Sequence, residues 1–146
     1  TQLIMSQLYS NIFNTPKNGR HLVATCVGNE LHEIGLRMVT DFFEMDGWDT
    51  YYLGSNVPLS SIMQTITERK ADVLAISATM TFHIPLVADL IKQVRTSDGN
   101  RHIKILVGGY PFNIDPELWR QVGADGYASN AEHAITTANT LIAAGA

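Results

Sequence analysis

Five times along this chain a short apolar run gives way to a segment with helical spacing, and that alternation limits the possible folds more than any other feature. The runs are HLVATC (21–26), TYYLG (50–54), DVLAIS (72–77), HIKILVGG (102–109) and ADGYAS (124–129). Each is brief and mostly apolar, several are rich in β-branched or aromatic residues, and each predicts a strand. The segments 32–47, 58–70, 84–96, 116–123 and 130–145 predict helices. In the first of them Arg37, Asp41 and Glu44 recur at i, i+4 and i+7, a solvent-facing stripe. Ile34, Leu36, Met38, Val39, Phe42 and Phe43 are left for the core. Gly47 ends that helix, Pro58 opens the second, and Asn130 caps the last with Glu132 in its first turn.

Continuous apolar strands flanked by amphipathic helices predict a parallel sheet covered on both faces, with right-handed crossovers. Five such units predict an α/β, flavodoxin-like (Rossmann-like) doubly wound five-stranded sheet of order 2-1-3-4-5. Ligands of such sheets bind beyond the carboxyl ends of the strands, at the switch point between strands 1 and 3. Before the first strand, Leu3, Ile4, Leu8 and Ile12 keep helical spacing and PKNG (16–19) reads as a turn. Residues 1–19 are therefore expected to be a helix and linker, the remnant of a preceding helical bundle, and residues 20–146 the domain proper.

Composition removes several functions. The formal net charge is −4 and no basic run occurs, so a nucleic-acid surface is not expected. The single cysteine excludes a disulfide framework within the chain and a multi-cysteine zinc site. Lying inside an apolar strand, Cys26 reads as a small core residue. No apolar run approaches the ~20 residues that span a bilayer, and no signal peptide is visible. The cytoplasm is the expected compartment.

The loops on the carboxyl rim carry the chemistry. They hold Val27 to His32 after strand 1, Ser77 to His83 after strand 3, Gly108 to Asn113 after strand 4, and Ser129-Asn130 after strand 5. A phosphoacceptor site needs clustered carboxylates after strand 1, an aspartate ending strand 3 and a lysine ending strand 5. The chain has Glu30 alone, Ser77 and Ser129. The glycine patterns of dinucleotide and nucleoside triphosphate loops are absent. GNELHEIG (28–35) remains. His32 has an imidazole that can ligate a transition metal, and Glu30 has a carboxylate that can accept a hydrogen bond from the other ring nitrogen. Gly35 leaves room one helical turn further on. One well-placed histidine is too few for a bare metal ion, and suits a metal held by a macrocycle and lacking one axial ligand. The bland alternative is an N-cap carboxylate beside a surface histidine. His83 reads as a satisfied polar residue or helix cap. His21, His102 and His133 read as surface residues away from the rim, and Trp48 and Trp119 as packing.

E-x-H-x-x-G (30–35), S-x-T-M (77–80) and G-G (108–109), in that order and each at a strand end, resemble the cobalamin-binding domain family over about residues 20–145. The resemblance implies that His32 takes the lower axial position on cobalt, displacing the cofactor's own benzimidazole. It implies that the displaced nucleotide tail runs into a slot between the sheet and its helices, where Ser77 bonds its base. Gly108 and Gly109 would let the backbone approach the tail. Tyr110, Ser129 and Asn130 would add contacts, and the corrin would lie near Gly28, Asn29, Leu31 and Gly35. Two positions depart from the usual D-x-H and S-x-L forms. Glu30 replaces Asp, which loosens or reorients the bond to histidine. Thr79 replaces Leu, which trades apolar contact for a hydroxyl.

The resemblance leaves the use of cobalamin, whether adenosyl-, methyl- or hydroxocobalamin, to be chosen. The E-x-H form is similar to that of cobalamin-dependent light-sensing repressors, and no separate catalytic constellation is present. A sensory module acting on a preceding helical or signalling domain, or on a partner protein, is therefore expected first. The alternatives are a corrinoid methyl carrier of a methyltransferase system and a haem-binding or other non-corrinoid module.

Overall fold

The computed structural model describes residues 19–27, 33–54, 57–78, 83–97, 102–115 and 117–145. The helix expected over residues 1–15 lies outside them. The described chain runs β1 (His21–Cys26), α1 (Glu33–Met45), β2 (Asp49–Gly54), α2 (Leu59–Glu68), β3 (Val73–Ser77), α3 (Ile84–Thr96), β4 (Lys104–Gly108), α4 (Tyr110–Ile114), α5 (Leu118–Gln121), β5 (Gly126–Ala128) and α6 (Ala131–Gly145). The five strands form one sheet of order β2-β1-β3-β4-β5, and every pair is parallel. The fold is thus the doubly wound flavodoxin-like sheet expected from the pattern, with its switch point between β1 and β3. Among the described residues no helix is long and apolar enough to cross a membrane.

Side chains alternate across the strands, so each strand feeds two cores. Val23, Leu74, Ile76, Ile105 and Val107 pack against Ile62 and Ile66 of α2 and Val87, Leu90, Ile91 and Val94 of α3. Leu22, Ala24, Cys26, Val73, Ala75 and Leu106 face the other way, toward Leu36 and Phe43 of α1 and Ala134 and Ala138 of α6. Trp48 is fully buried there, edge-on to Phe43 with ring centroids 5.2 Å apart. Trp119 is half-buried against the α2/α3 core.

Two expectations fail in instructive ways. The loop after β4 contains a short helix, α4, with Pro111 in its first turn, where proline's missing N–H costs nothing. And the polar stripe of α1 does not face solvent throughout. Arg37 is exposed, its guanidinium carbon 5.8 Å from the ring centroid of Tyr52 on β2. Glu44 accepts from the Thr50 amide, also on β2. Asp41, between them on the same row, is only 8% exposed, whereas Met38, expected in the core, is 40% exposed. The row lies over the edge strand rather than pointing away from the sheet.

Candidate functional site

Beneath the carboxyl edge, between the sheet and the helices α1 and α6, lies a cavity of about 640 Å³. Its floor is the sheet: Ala75 and Ser77 of β3, Leu106 and Gly108 of β4, and Ala128 of β5. One wall is α1, through Leu36, Val39, Phe42 and Phe43, and the other is the start of α6, through Ala131 and Ala134. The space exists because the floor and the α6 wall are built largely from small residues. A strand or helix that presents Ala, Ser or Gly toward its neighbour leaves volume that Val or Ile would fill.

The rim of this cavity brings together residues far apart in sequence. Parallel pairing sets Ser77 of β3 beside Gly108 of β4, and Gly108 beside Ala128 of β5. The next residues are then stitched together: the Ala78 amide donates to the Gly108 carbonyl at 3.1 Å, and the Val27 amide to the Ser77 carbonyl at 2.9 Å. Ser77 is half-buried, and its hydroxyl makes no hydrogen bond to another described residue. Asn130 caps α6, its side-chain oxygen accepting from the His133 amide at 2.8 Å.

Of the residues singled out in the sequence, Ser77, Gly108, Gly109, Ser129 and Asn130 all line this one cavity. Gly35 lies in the first turn of α1 and Tyr110 begins α4. Gly28, Asn29, Glu30, Leu31, His32 and Thr79 lie outside the described residues.

One reading gains a second reason and one is corrected. The fold itself demands glycine at 109, whatever a ligand requires there. Its φ is +111°, and a Cβ there would stand 1.9 Å from the Ala78 carbonyl oxygen. His133 does not lie away from the rim. Its Nδ1 accepts from the Ser129 amide at 3.2 Å and lies 3.3 Å from the Ser129 hydroxyl, and its ring is edge-on to Tyr127. The spacing from Ser129, i to i+4 across a helix start, was the available signal. His83 is buried at the N-cap position of α3 and does not cap through its side chain. His21 sits at the opposite edge, with ring nitrogens 3.7 Å from Asp49 and 3.6 Å from Asp72. Among the described residues no cluster of three or more His, Cys, Asp or Glu could hold a metal ion.

The cavity is apolar inside and polar at its mouth. The class is thus an α/β domain with a slot below its carboxyl edge. The family follows from comparison with known proteins. The B12 binding domain model matches residues 20–136, so the chain belongs to that family, and cobalamin is the cofactor that membership assigns to it. A dimethylamine corrinoid protein of Methanosarcina mazei is 30% identical over 123 residues, 84% of this chain and 72% of its own. The monomethylamine corrinoid protein of Methanosarcina barkeri has a TM-score of 0.76 at 23% identity, covering 98% of this chain and 64% of that one. A chain of the methanol:cobalamin methyltransferase complex of the same organism has a TM-score of 0.74 at 22% identity, covering 92% and 51%. The chain thus spans between 51% and 72% of the length of these relatives. The solved structures share its fold. The expectation of a sensor or photoreceptor is not supported, because the relatives matched by sequence include several dimethylamine corrinoid proteins.

Proposed function

We propose that this domain is the cofactor-bearing part of a corrinoid methyl carrier, holding cobalamin through His32 and the cavity under the carboxyl edge and presenting it to methyltransferases. The observation that carries the reading is the cavity itself, whose lining joins Ser77, Gly108, Gly109, Ser129 and Asn130. The kinship with dimethylamine corrinoid proteins supports the carrier over the sensor.

Bound cobalamin supplies a cobalt centre able to accept and release methyl groups, chemistry the protein lacks. The chain's own residues hold and orient it. His32 would hold the cobalt, and Glu30 would be the carboxylate that fixes its tautomer. Gly28, Asn29, Leu31, Gly35 and Thr79 are proposed neighbours of the corrin and the start of the tail. Ser77 donates its hydroxyl to the base in the slot. The exposed Asn130 and Ser129 flank the entrance, with Tyr110 near it, and α1 and α6 exclude water from the inner part. The region before residue 20 is proposed to belong to a preceding helical element.

The test is reconstitution of the purified chain with methyl-, hydroxo- and adenosylcobalamin, followed by desalting and absorption spectroscopy in the dark and after illumination. Retention of the methyl and hydroxo forms with a base-off spectrum is expected, and His32→Ala should lose that spectrum while its circular dichroism stays unchanged. No retained corrinoid would overturn the reading. A light-dependent change in oligomeric state, specific to the adenosyl form, would return the sensor.

A further inference from the structure

Polarity in the cavity is graded with depth. The buried lining residues, Phe43, Leu106, Ala134, Ala75, Leu36, Ile76 and Val107, are all apolar and none is more than 7% exposed. The polar lining residues are half-buried (Ser77) or exposed (Asn113, Ser129, Asn130). Several backbone groups at the rim are already engaged. The Gly108 and Ser77 carbonyls accept from Ala78 and Val27, and the Gly109 carbonyl accepts from Phe112 and Asn113. At the mouth, the Ser129 amide is held by His133 and the Asn130 side-chain oxygen by the His133 amide. Among the described residues, the lining below the entrance offers one side-chain hydroxyl, that of Ser77.

That count of side-chain donors bears on which base the slot accepts. A benzimidazole released from cobalt has one free ring nitrogen, an acceptor, which one hydroxyl satisfies. A phenolic base has no ring nitrogen to satisfy. A purine carries several acceptor nitrogens, and adenine also an amine donor. Against Phe43, Leu106 and Ala134 those groups would lose water and gain no partner. We propose that this cavity selects corrinoids by their lower base, taking benzimidazolyl and phenolic forms and discriminating against purinyl ones. The proposal rests on the corrinoid reading of the site and adds a specificity to it.

The test is equilibrium binding of four corrinoids to the purified chain: cobalamin, a cresolyl cobamide, adeninylcobamide, and cobinamide, which lacks the tail. Cobalamin and the cresolyl form should each bind about tenfold or more tighter than adeninylcobamide, the effect of one or more unsatisfied buried polar groups. Cobinamide should bind more weakly than cobalamin. Adding a hydroxyl to the floor with Ala75→Ser should narrow the gap between cobalamin and adeninylcobamide, a change that general loosening of the fold would not produce. Equal affinity for cobalamin and adeninylcobamide would overturn the selectivity and leave the corrinoid reading standing. Equal affinity for cobinamide would show that the slot does not hold the tail. Binding of none of the four would remove both readings.

Discussion

The two faces of the sheet are built from the same strands, and they differ in what those strands present. Toward α2 and α3 the central strands offer Val23, Leu74, Ile76, Ile105 and Val107, and the helices answer with Ile62, Ile66, Val87, Leu90 and Ile91. Toward α1 and α6 they offer Ala24, Cys26, Ala75, Ser77, Leu106 and Gly108, and α6 answers with Ala134 and Ala138. Branched side chains interdigitate and fill the first face. Small ones leave about 640 Å³ open on the second. One face carries most of the packing and the other carries the site, and alternation along each strand lets one sequence specify both.

The largest effect should come where the two faces share a hinge. Gly109 holds φ +111° with its α-carbon against Ala78, whose amide is tied to the Gly108 carbonyl, so neither backbone can retreat. Gly109→Ala should cost about 5 kcal/mol or more, the range of the most disruptive single changes. Urea denaturation, or soluble yield where the variant does not fold, measures it. A mild effect would mean that the rim is pliable and the two faces less tightly joined than described.

Next come substitutions that treat the faces alike and should not have like effects. On the filled face, Leu74→Ala removes a fully buried side chain and should cost about 2–5 kcal/mol. On the open face, Ala75→Leu, one residue along the same strand, projects into the cavity. It should stabilise the cofactor-free protein by about 0.5–2 kcal/mol, as cavity filling does, and abolish corrinoid retention. Denaturation midpoints of the two variants, with retention after desalting, make the comparison. If Ala75→Leu destabilised the chain as Leu74→Ala does, the open face would be a packed core after all.

How far this was legible beforehand follows the same division. The strand order could be read because HLVATC, DVLAIS and HIKILVGG are apolar throughout, as buried parallel strands must be. Ser77, Gly108, Gly109, Ser129 and Asn130 could be placed on one rim because they end strands. The walls could not be read. Leu36, Val39, Phe43 and Leu106 are apolar residues at core spacing, and hydrophobicity alone does not distinguish lining a core from lining a cavity. The usable signal was volume by parity: Ala24, Ala75, Ser77, Gly108, Gly126 and Ala128 all fall on one side of the strands. Asp41 was misread because i, i+4, i+7 spacing reports a shared face without saying what lies opposite, here the edge strand β2.

Asp41 gives the smallest and most specific test. Burial raises its carboxyl above the ordinary value of 3.8, nearby Arg37 pulls it down, and Glu44 pushes it up. Oδ2 has no hydrogen-bond partner among the described residues. A carboxyl raised in the folded state binds its proton more tightly there than in the unfolded chain, so its contribution favours folding below 3.8 and is lost as pH rises through the folded value. Asp41→Asn removes the charge and keeps the shape. The variant should therefore be more stable than the parent near neutral pH, with the difference shrinking as pH falls toward 3.8. Urea midpoints at several pH values measure this. A variant less stable at neutral pH would mean that the Arg37 charge outweighs burial. Because Asp41 does not line the cavity, corrinoid retention should be unchanged. A joint loss of retention and gain of stability would show that the row over β2 is coupled to the site, and that the boundary between packing and binding lies further back along α1 than the cavity wall.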